Sequence, residues 1–170
     1  MTTTSKEGLT VTKTFYFERN KHSIEVKFDI KNSSGNALEI QPFYQLKQQI
    51  AGPESSMMMP TYRGGVYSTT DEAYEKYDFE DMAELALNKN TLGGWIGMIQ
   101  HYFVTAWVPA QEQQNKLYSI VTGGNAAAII GAKTPAMIIN SGETISTKAT
   151  LFAGPKNQEE LESLHDTLDL

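Results

Sequence analysis

The chain contains no cysteine. That removes disulfides, thiol nucleophiles and thiolate metal ligands together. Positive charge is also scarce. Fourteen Lys and Arg against twenty Asp and Glu leave a formal net charge of −6 over 170 residues. The basic footprint of a nucleic-acid binder is therefore missing, and so is an electrostatic pull toward anionic lipid. The Gly-x-Ser-x-Gly elbow and the Walker and dinucleotide glycine patterns do not occur, nor do a His-x-x-x-His pair or an Asp/Asn/Gly calcium loop. No metal or cofactor is expected on these grounds. Met1 to Glu7 holds no apolar h-region, so export is expected to be directed from outside these residues.

A continuous apolar membrane span is also lacking, although one stretch comes close. Leu92 to Pro109 reads LGGWIGMIQHYFVTAWVP. It approaches the length of a membrane helix, but Gln100-His101-Tyr102 would sit at the bilayer centre. Gly93, Gly94 and Gly97 weaken a helix, whereas Val104, Thr105, Trp107 and Val108 favour strand. The run reads as two consecutive buried strands with a bend near Gln100.

Period-two patterning dominates elsewhere. Thr10 to Phe17 alternates Val11, Lys13, Phe15 and Phe17 with Thr10, Thr12, Thr14 and Tyr16. Ser23 to Ile30 places Ile24, Val26, Phe28 and Ile30 on one face and Glu25, Lys27 and Asp29 on the other, the mark of a half-buried antiparallel strand. Ala37 to Ile50 continues as strand with a bulge or edge at Pro42, and Ala51 to Pro60 reads as a loop. Thr69-x-x-Glu72 resembles a capping box, which predicts a short helix over Asp71 to Tyr77. Phe79 to Leu87 is a further turn of helix or a loop. Short strands follow over Lys116 to Val121, Ala126 to Ala132, Ala136 to Ile139 and Thr144 to Phe152. A closing helix is predicted, capped by Asn157-x-x-Glu160, with Leu161, Leu164 and Leu168 on one stripe. The pattern is that of a single mainly-β domain: a sandwich of antiparallel strands with a short central helix and a C-terminal one.

Few residues suggest chemistry. His22 and His165 read as turn and polar-face residues, and His101 as a core or groove histidine. The acidic cluster of Asp71, Glu72, Glu75, Asp78, Glu80 and Asp81 reads as a solvated helix face rather than a glycosidase carboxylate pair. Trp95, Tyr102, Phe103 and Trp107 read as core, with a carbohydrate or peptide groove as the alternative.

Several collinear segments nevertheless resemble a known family. They are Thr12-Lys13-Thr14-Phe15, Ala37-Leu38-Glu39-Ile40, Tyr44-Gln45-Leu46-Lys47-Gln48, Tyr62 to Thr69, Tyr74 to Phe79, and above all Gly93 to Pro109. Gly154-Pro155 and His165 to Leu170 complete the set. Together they resemble the periplasmic domain of the bacterial membrane protein insertase YidC. The resemblance implies a β-supersandwich similar to galactose-mutarotase-like folds. It also implies a non-enzymatic accessory role on the periplasmic face of the inner membrane. The partners implied are components of the Sec translocon (SecYEG and SecDF, with SecF foremost) and nascent membrane proteins.

By that resemblance the chain starts partway into the domain and ends before the next membrane helix. An unpaired sheet edge, lowered stability and a tendency to dimerise or aggregate are then expected. The partner surface is expected within Tyr62 to Pro109, on Arg63, Tyr67, Tyr74, Tyr77, Trp95, Gln100, Tyr102 and Trp107. Asn157 to Leu170 is expected to couple the domain toward the membrane, docked by Leu161, Leu164 and Leu168, with truncation of Leu164 costing more than truncation of Glu162. Two rivals stand beside this reading. A carbohydrate-binding or sugar-epimerising protein would need His101 and a carboxylate facing one pocket, and a spacer would need no contacts at all.

Overall fold

The computed structural model describes residues 1–50, 62–124 and 126–168. The loop expected over Ala51 to Pro60 lies outside the described residues, as do the last two residues of the coupling segment. In chain order the strands begin with β1 (Thr2–Thr4), β2 (Leu9–Phe17), β3 (Ser23–Asn32), β4 (Leu38–Ile40) and β5 (Phe43–Gln49). Next come β6 (Arg63–Ser68), β7 (Glu75–Tyr77), helix α1 (Phe79–Glu84), β8 (Asn88–Leu92), β9 (Trp95–Gln100) and β10 (Phe103–Pro109). The chain closes with β11 (Gln114–Thr122), β12 (Ala127–Lys133), β13 (Met137–Ile139), β14 (Thr144–Pro155) and helix α2 (Gln158–Glu162). All pairings are antiparallel. The larger sheet has eight strands in the order β1-β2-β3-β14-β10-β9-β6-β7, and the smaller has four, β5-β12-β11-β8. β4 and β13 form a two-stranded ribbon.

The apolar run is strands β9 and β10, joined by a two-residue turn at His101-Tyr102. Alternation along them sorts side chains onto two faces. Ile96, Met98 and Trp107 point toward the smaller sheet and pack with Tyr44, Leu117 and Ile130. Trp95, Ile99, Val104, Ala106 and Val108 point the other way and pack with Leu161 and Leu168 of the C-terminal tail. Both faces are covered, so the run is continuously apolar rather than alternating.

Two predicted elements differ from those observed. Asp71 to Tyr77 is not helical. The Thr69 hydroxyl does accept from the Glu72 N–H at 3.0 Å, but the Thr69 N–H donates to the Glu72 carbonyl at 2.8 Å and closes a turn. The Glu72 carboxylate is drawn to the Lys89 ammonium instead of the cap. Glu75 to Tyr77 then pairs with Gly65 to Tyr67 as the sheet's edge strand. The capping box forms one step later. The Asp78 side chain accepts from the N–H groups of Glu80 and Asp81, and Asp81 reaches back to the Asp78 N–H at 3.1 Å. Likewise, Ala37 to Ile50 is not one strand. Pro42 separates β4 from β5, which belong to different sheets.

The C-terminal helix is also shorter than expected, at five residues followed by turns. Asn157 caps it by accepting from the Glu160 N–H, but the Glu160 carboxylate leaves the cap for His22, 2.6 Å from its N–H and 2.7 Å from its Nδ1. Leu161 and Leu168 are fully buried on the outer sheet face, and Leu164 is half-buried beside them. Beyond the helix, polar contacts pin the tail. The Trp95 Nε1–H donates to Thr167 Oγ1 at 2.8 Å, and Ser68 Oγ lies 2.9 Å from the same oxygen. The Thr167 N–H donates to His165 Nδ1 at 3.2 Å, so Nδ1 is an acceptor. His165 Nε2 lies 3.0 Å from Gln111 Oε1. The Gln111 amide is oriented by donating to the Gly94 and Pro109 carbonyls, which leaves Oε1 as acceptor and makes Nε2–H the donor. The network therefore requires a neutral imidazole, in a turn and not on the polar face of a helix.

Truncating Leu161 to Ala should cost about 2–4 kcal/mol, Leu164→Ala less, and Glu162→Ala within about 0.5 kcal/mol of zero, read from urea midpoints. Acid should release the tail in two stages. Burial holds the His165 imidazole below its ordinary value of 6.5, against an opposing pull from Asp166. The stability contributed by its neutral form is complete above that value and is lost as pH falls through the lower folded value. For Glu160, burial pushes upward but the His22 hydrogen bonds outweigh it and hold the carboxyl below its ordinary 4.5. Its contribution is complete above that value and is lost as pH falls further. Trp95 emission in a Trp107→Phe background should shift with an onset below 6.5. His165→Asn, which keeps an acceptor for the Thr167 N–H but does not titrate, should delay that onset. The same onset in the parent and in His165→Asn would contradict the assignment.

Candidate docking surface

The eight residues expected on one surface are distributed over three places. Tyr67 and Trp107 are buried between the sheets, and Tyr77 is half-buried beside Tyr67 with ring centroids 6.0 Å apart. Trp107 packs on Tyr44 at 5.2 Å. Trp95 and Tyr74 stack at 6.2 Å on the opposite face, under the tail. Burial pushes the phenols of Tyr67, Tyr74 and Tyr77 above their ordinary range, so all three stay neutral. Arg63 is half-buried, with Nη2 donating to the Gln49 carbonyl at 2.8 Å and its guanidinium over the Phe79 ring. The tyrosines read as exposed from sequence are thus covered: Tyr67 lies on β6, an interior strand of the larger sheet, and Tyr77 and Tyr74 pack on Tyr67 and Trp95.

Only Gln100 and Tyr102 lie at a surface, at the β9–β10 turn. There Tyr102 is 77% exposed and its neighbour Phe103 62% exposed. The turn is tight: Gln100 pairs with Phe103, and His101 takes φ +54°, unusual for a residue with a Cβ. The Lys156 N–H holds the turn by donating to the Tyr102 carbonyl at 2.9 Å. His101 is therefore an exposed turn residue, neither core nor groove. The recess it borders is lined by Gln100, Tyr102 and Phe103, without a carboxylate. Among the described residues no cluster of His, Asp and Glu is placed to hold a metal ion. Three of the six residues of the acidic cluster are committed elsewhere: Glu72 to Lys89, Asp78 and Asp81 to the α1 cap. The described lining of that recess therefore gives the sugar-epimerising alternative no support.

A second recess lies elsewhere and was not singled out from sequence. The eight-stranded sheet is wider than the four-stranded sheet beneath it. β5 is the edge of the smaller sheet, with Tyr44 under Trp107 and Phe28. Beyond that edge, no residue of β2 is buried. The result is a cleft of about 460 Å³ whose walls include Val11, Lys13, Phe28, Phe43, Tyr44 and Trp107. Aromatic rings continue outward from it: Phe17 is 75% exposed and Phe43 54%. Lys13 projects from the middle of this apolar face. Its ammonium lies 4.9 Å from the Phe15 ring centroid, 5.2 Å from Phe28 and 5.9 Å from Trp107. Among the described residues no carboxylate forms an ion pair with it. The signal was present in the alternation of Val11, Lys13, Phe15 and Phe17, but alternation cannot say whether the second sheet reaches that far.

The membrane protein insertase YidC of Pseudoalteromonas atlantica is 47% identical over 170 residues, which is 100% of this chain and 31% of that protein. The YidC of Shewanella piezotolerans is also 47% identical over the same shares. The chain thus spans under a third of the length of these curated relatives. Among solved structures, a putative aldose 1-epimerase from Klebsiella pneumoniae aligns with a TM-score of 0.48 at 7% identity, over 98% of this chain and 52% of that one. The reading as a non-enzyme rests on the insertase relatives. Residues 1–170 in their entirety match the family described as the YidC periplasmic domain, and the chain belongs to that family.

Proposed function

We propose that the chain is a non-enzymatic accessory domain of a YidC-type insertase, placed on the periplasmic face of the bacterial inner membrane. In this reading it aids membrane protein insertion and folding by docking extended segments of other polypeptides. These are nascent membrane proteins and periplasmic parts of the Sec translocon, with SecF foremost among the SecYEG and SecDF components. The observation that carries the reading is the cleft beside β5. It joins apolar area, exposed aromatics and one cation, the composition of a recognition surface rather than of a catalytic centre. The −6 net charge supports a protein partner over anionic lipid. The chemistry of insertion belongs to the rest of the longer protein, and the tail from Asn157 links the docking domain to it.

Site-specific photo-crosslinking in cells tests this. Crosslinkers at Phe15, Phe43 and Tyr102, within a full-length insertase carrying this domain, should give adducts to a Sec subunit or to nascent chains at the two cleft positions. Tyr102 reports whether the turn shares that surface. A control at Glu162, on the exposed side of α2, should give none. Empty lanes at Phe15 and Phe43 with normal insertion would favour the spacer and remove the docking role.

A further inference from the structure

The strands of the smaller sheet hold no Asp or Glu, although the chain as a whole carries −6. They hold Lys47, Lys89, Lys116 and Lys133 instead. Lys89 faces inward beside Leu117 and pairs with Glu72. Lys47, Lys116 and Lys133 alternate with the inward-packed Leu46, Leu117 and Ala132, so they belong to the outer face. Among the described residues none of these three is in an ion pair.

Two of them meet. Lys116 of β11 stands directly opposite Lys133 of β12, a placement in which like charges repel and cost stability. Asn90 of β8 lies opposite Lys116 on its other side. Lys133 is held in place by a ring rather than by a carboxylate. Tyr118 lies across Gly131, where a Cβ would come within 2.4 Å of its Cζ. The Tyr118 hydroxyl donates to Gln45 Oε1 at 3.2 Å, and Lys133 Nζ rests 4.9 Å from the ring centroid. The two lysines border a recess of about 340 Å³ whose walls also include Gln41, Asn90, Gln114 and Thr134. No described carboxylate lines it. The Gln41 amide is engaged, donating to the Thr134 carbonyl at 3.0 Å. The Asn90 and Gln114 side-chain amides have no partner among the described residues.

We propose that this recess binds a phosphate dianion. Two ammonium groups side by side call for a ligand with close to two negative charges. A terminal or inorganic phosphate carries about that charge, and a single carboxylate does not. Lysines act on phosphate as point charges, and no arginine lines the recess to offer the planar fork that suits a carboxylate. The Asn90 and Gln114 amides supply neutral donors for the remaining oxygens. A bound dianion turns the repulsion between Lys116 and Lys133 into a shared attraction. The source is free phosphate or the terminal phosphate of a lipid. The proposal does not rest on the docking reading, since neither lysine lines the cleft beside β5.

Nuclear magnetic resonance of the 170-residue chain tests it. Inorganic phosphate, added at about pH 8 and constant ionic strength, should shift the backbone amides of Lys116, Lys133 and Thr134 and the side-chain amide of Asn90 saturably. Acetate at the same ionic strength should not. Lys116→Gln and Lys133→Gln should each weaken phosphate about fivefold, while Lys116→Arg keeps most of the affinity. Lys47→Gln, on the same face but outside the recess, should change it less than about twofold. Shifts that acetate reproduces, that fail to saturate, or that Lys47→Gln weakens as much as Lys116→Gln does would mean diffuse positive charge and overturn the proposal. Vesicles separate the two sources. Sedimentation with phosphatidylcholine vesicles containing phosphatidic acid, lost in Lys116→Gln and absent with an equal share of phosphatidylglycerol, would assign the terminal phosphate of a lipid. Sedimentation with neither, while inorganic phosphate still saturates, would assign a soluble phosphate. Equal sedimentation with both would mean that the face reads negative charge rather than a dianion, and would overturn the proposal.

Discussion

The constraint on which the rest depends is that β9 and β10 are apolar on both faces. A two-faced central hairpin cannot be buried by a two-layer sandwich alone. The four-stranded sheet covers Ile96, Met98 and Trp107, and a separate element must cover Trp95, Ile99 and Val108. The short C-terminal tail does that with Leu161, Leu164 and Leu168. It is too short for its helix to be stable without docking. Its position is therefore set by what it covers and by the polar contacts at either end.

Those polar contacts ask for different protonation chemistry. At the helix, the Glu160 carboxylate binds His22, a contact that needs the carboxyl ionised. At the far end, His165 must accept from Thr167 and donate to Gln111, which needs the imidazole neutral. The tail is thus best held at neutral pH and above. The Trp95 indole N–H ties this balance to the sheet, because its acceptor, Thr167, is also held by His165. Deep apolar burial gives the tail its place, and the network gives it a single register.

Much of this was legible in the sequence where side-chain period alone decides. The alternation of Ile24, Val26, Phe28 and Ile30 names β3 and its buried face, and Gln100-His101-Tyr102 marks the hairpin turn inside the apolar run. The alternation fails where competition between partners decides. Thr69 and Glu72 spell a cap, yet Lys89, seventeen residues on, captures the carboxylate. Asp78 and Asp81 spell the same motif with acidic residues and keep it. Leu161, Leu164 and Leu168 show an apolar stripe, but not that turns carry its second half. The expected exposure of several site residues failed for a related reason. Tyr67, Trp95 and Trp107 are aromatics in strands, and whether such residues face water depends on which strands end up interior, a property of sheet order rather than of local pattern.

The cleft is the counterpart of the same geometry. Among the described residues, eight strands above four leave part of the upper face without a second layer, and β2 lies in that part. Stable proteins treat such an edge as a hazard and blunt it with charge, proline or cover. Here Pro42 ends the open strand, Lys47 lies along it and Lys13 interrupts the apolar face above. These features oppose indiscriminate pairing without closing the cleft. Phe43 on its wall and Phe17 farther along β2 remain in water, an arrangement that costs solubility unless the face has a use. The two lysines thus limit random association while the aromatics stay exposed.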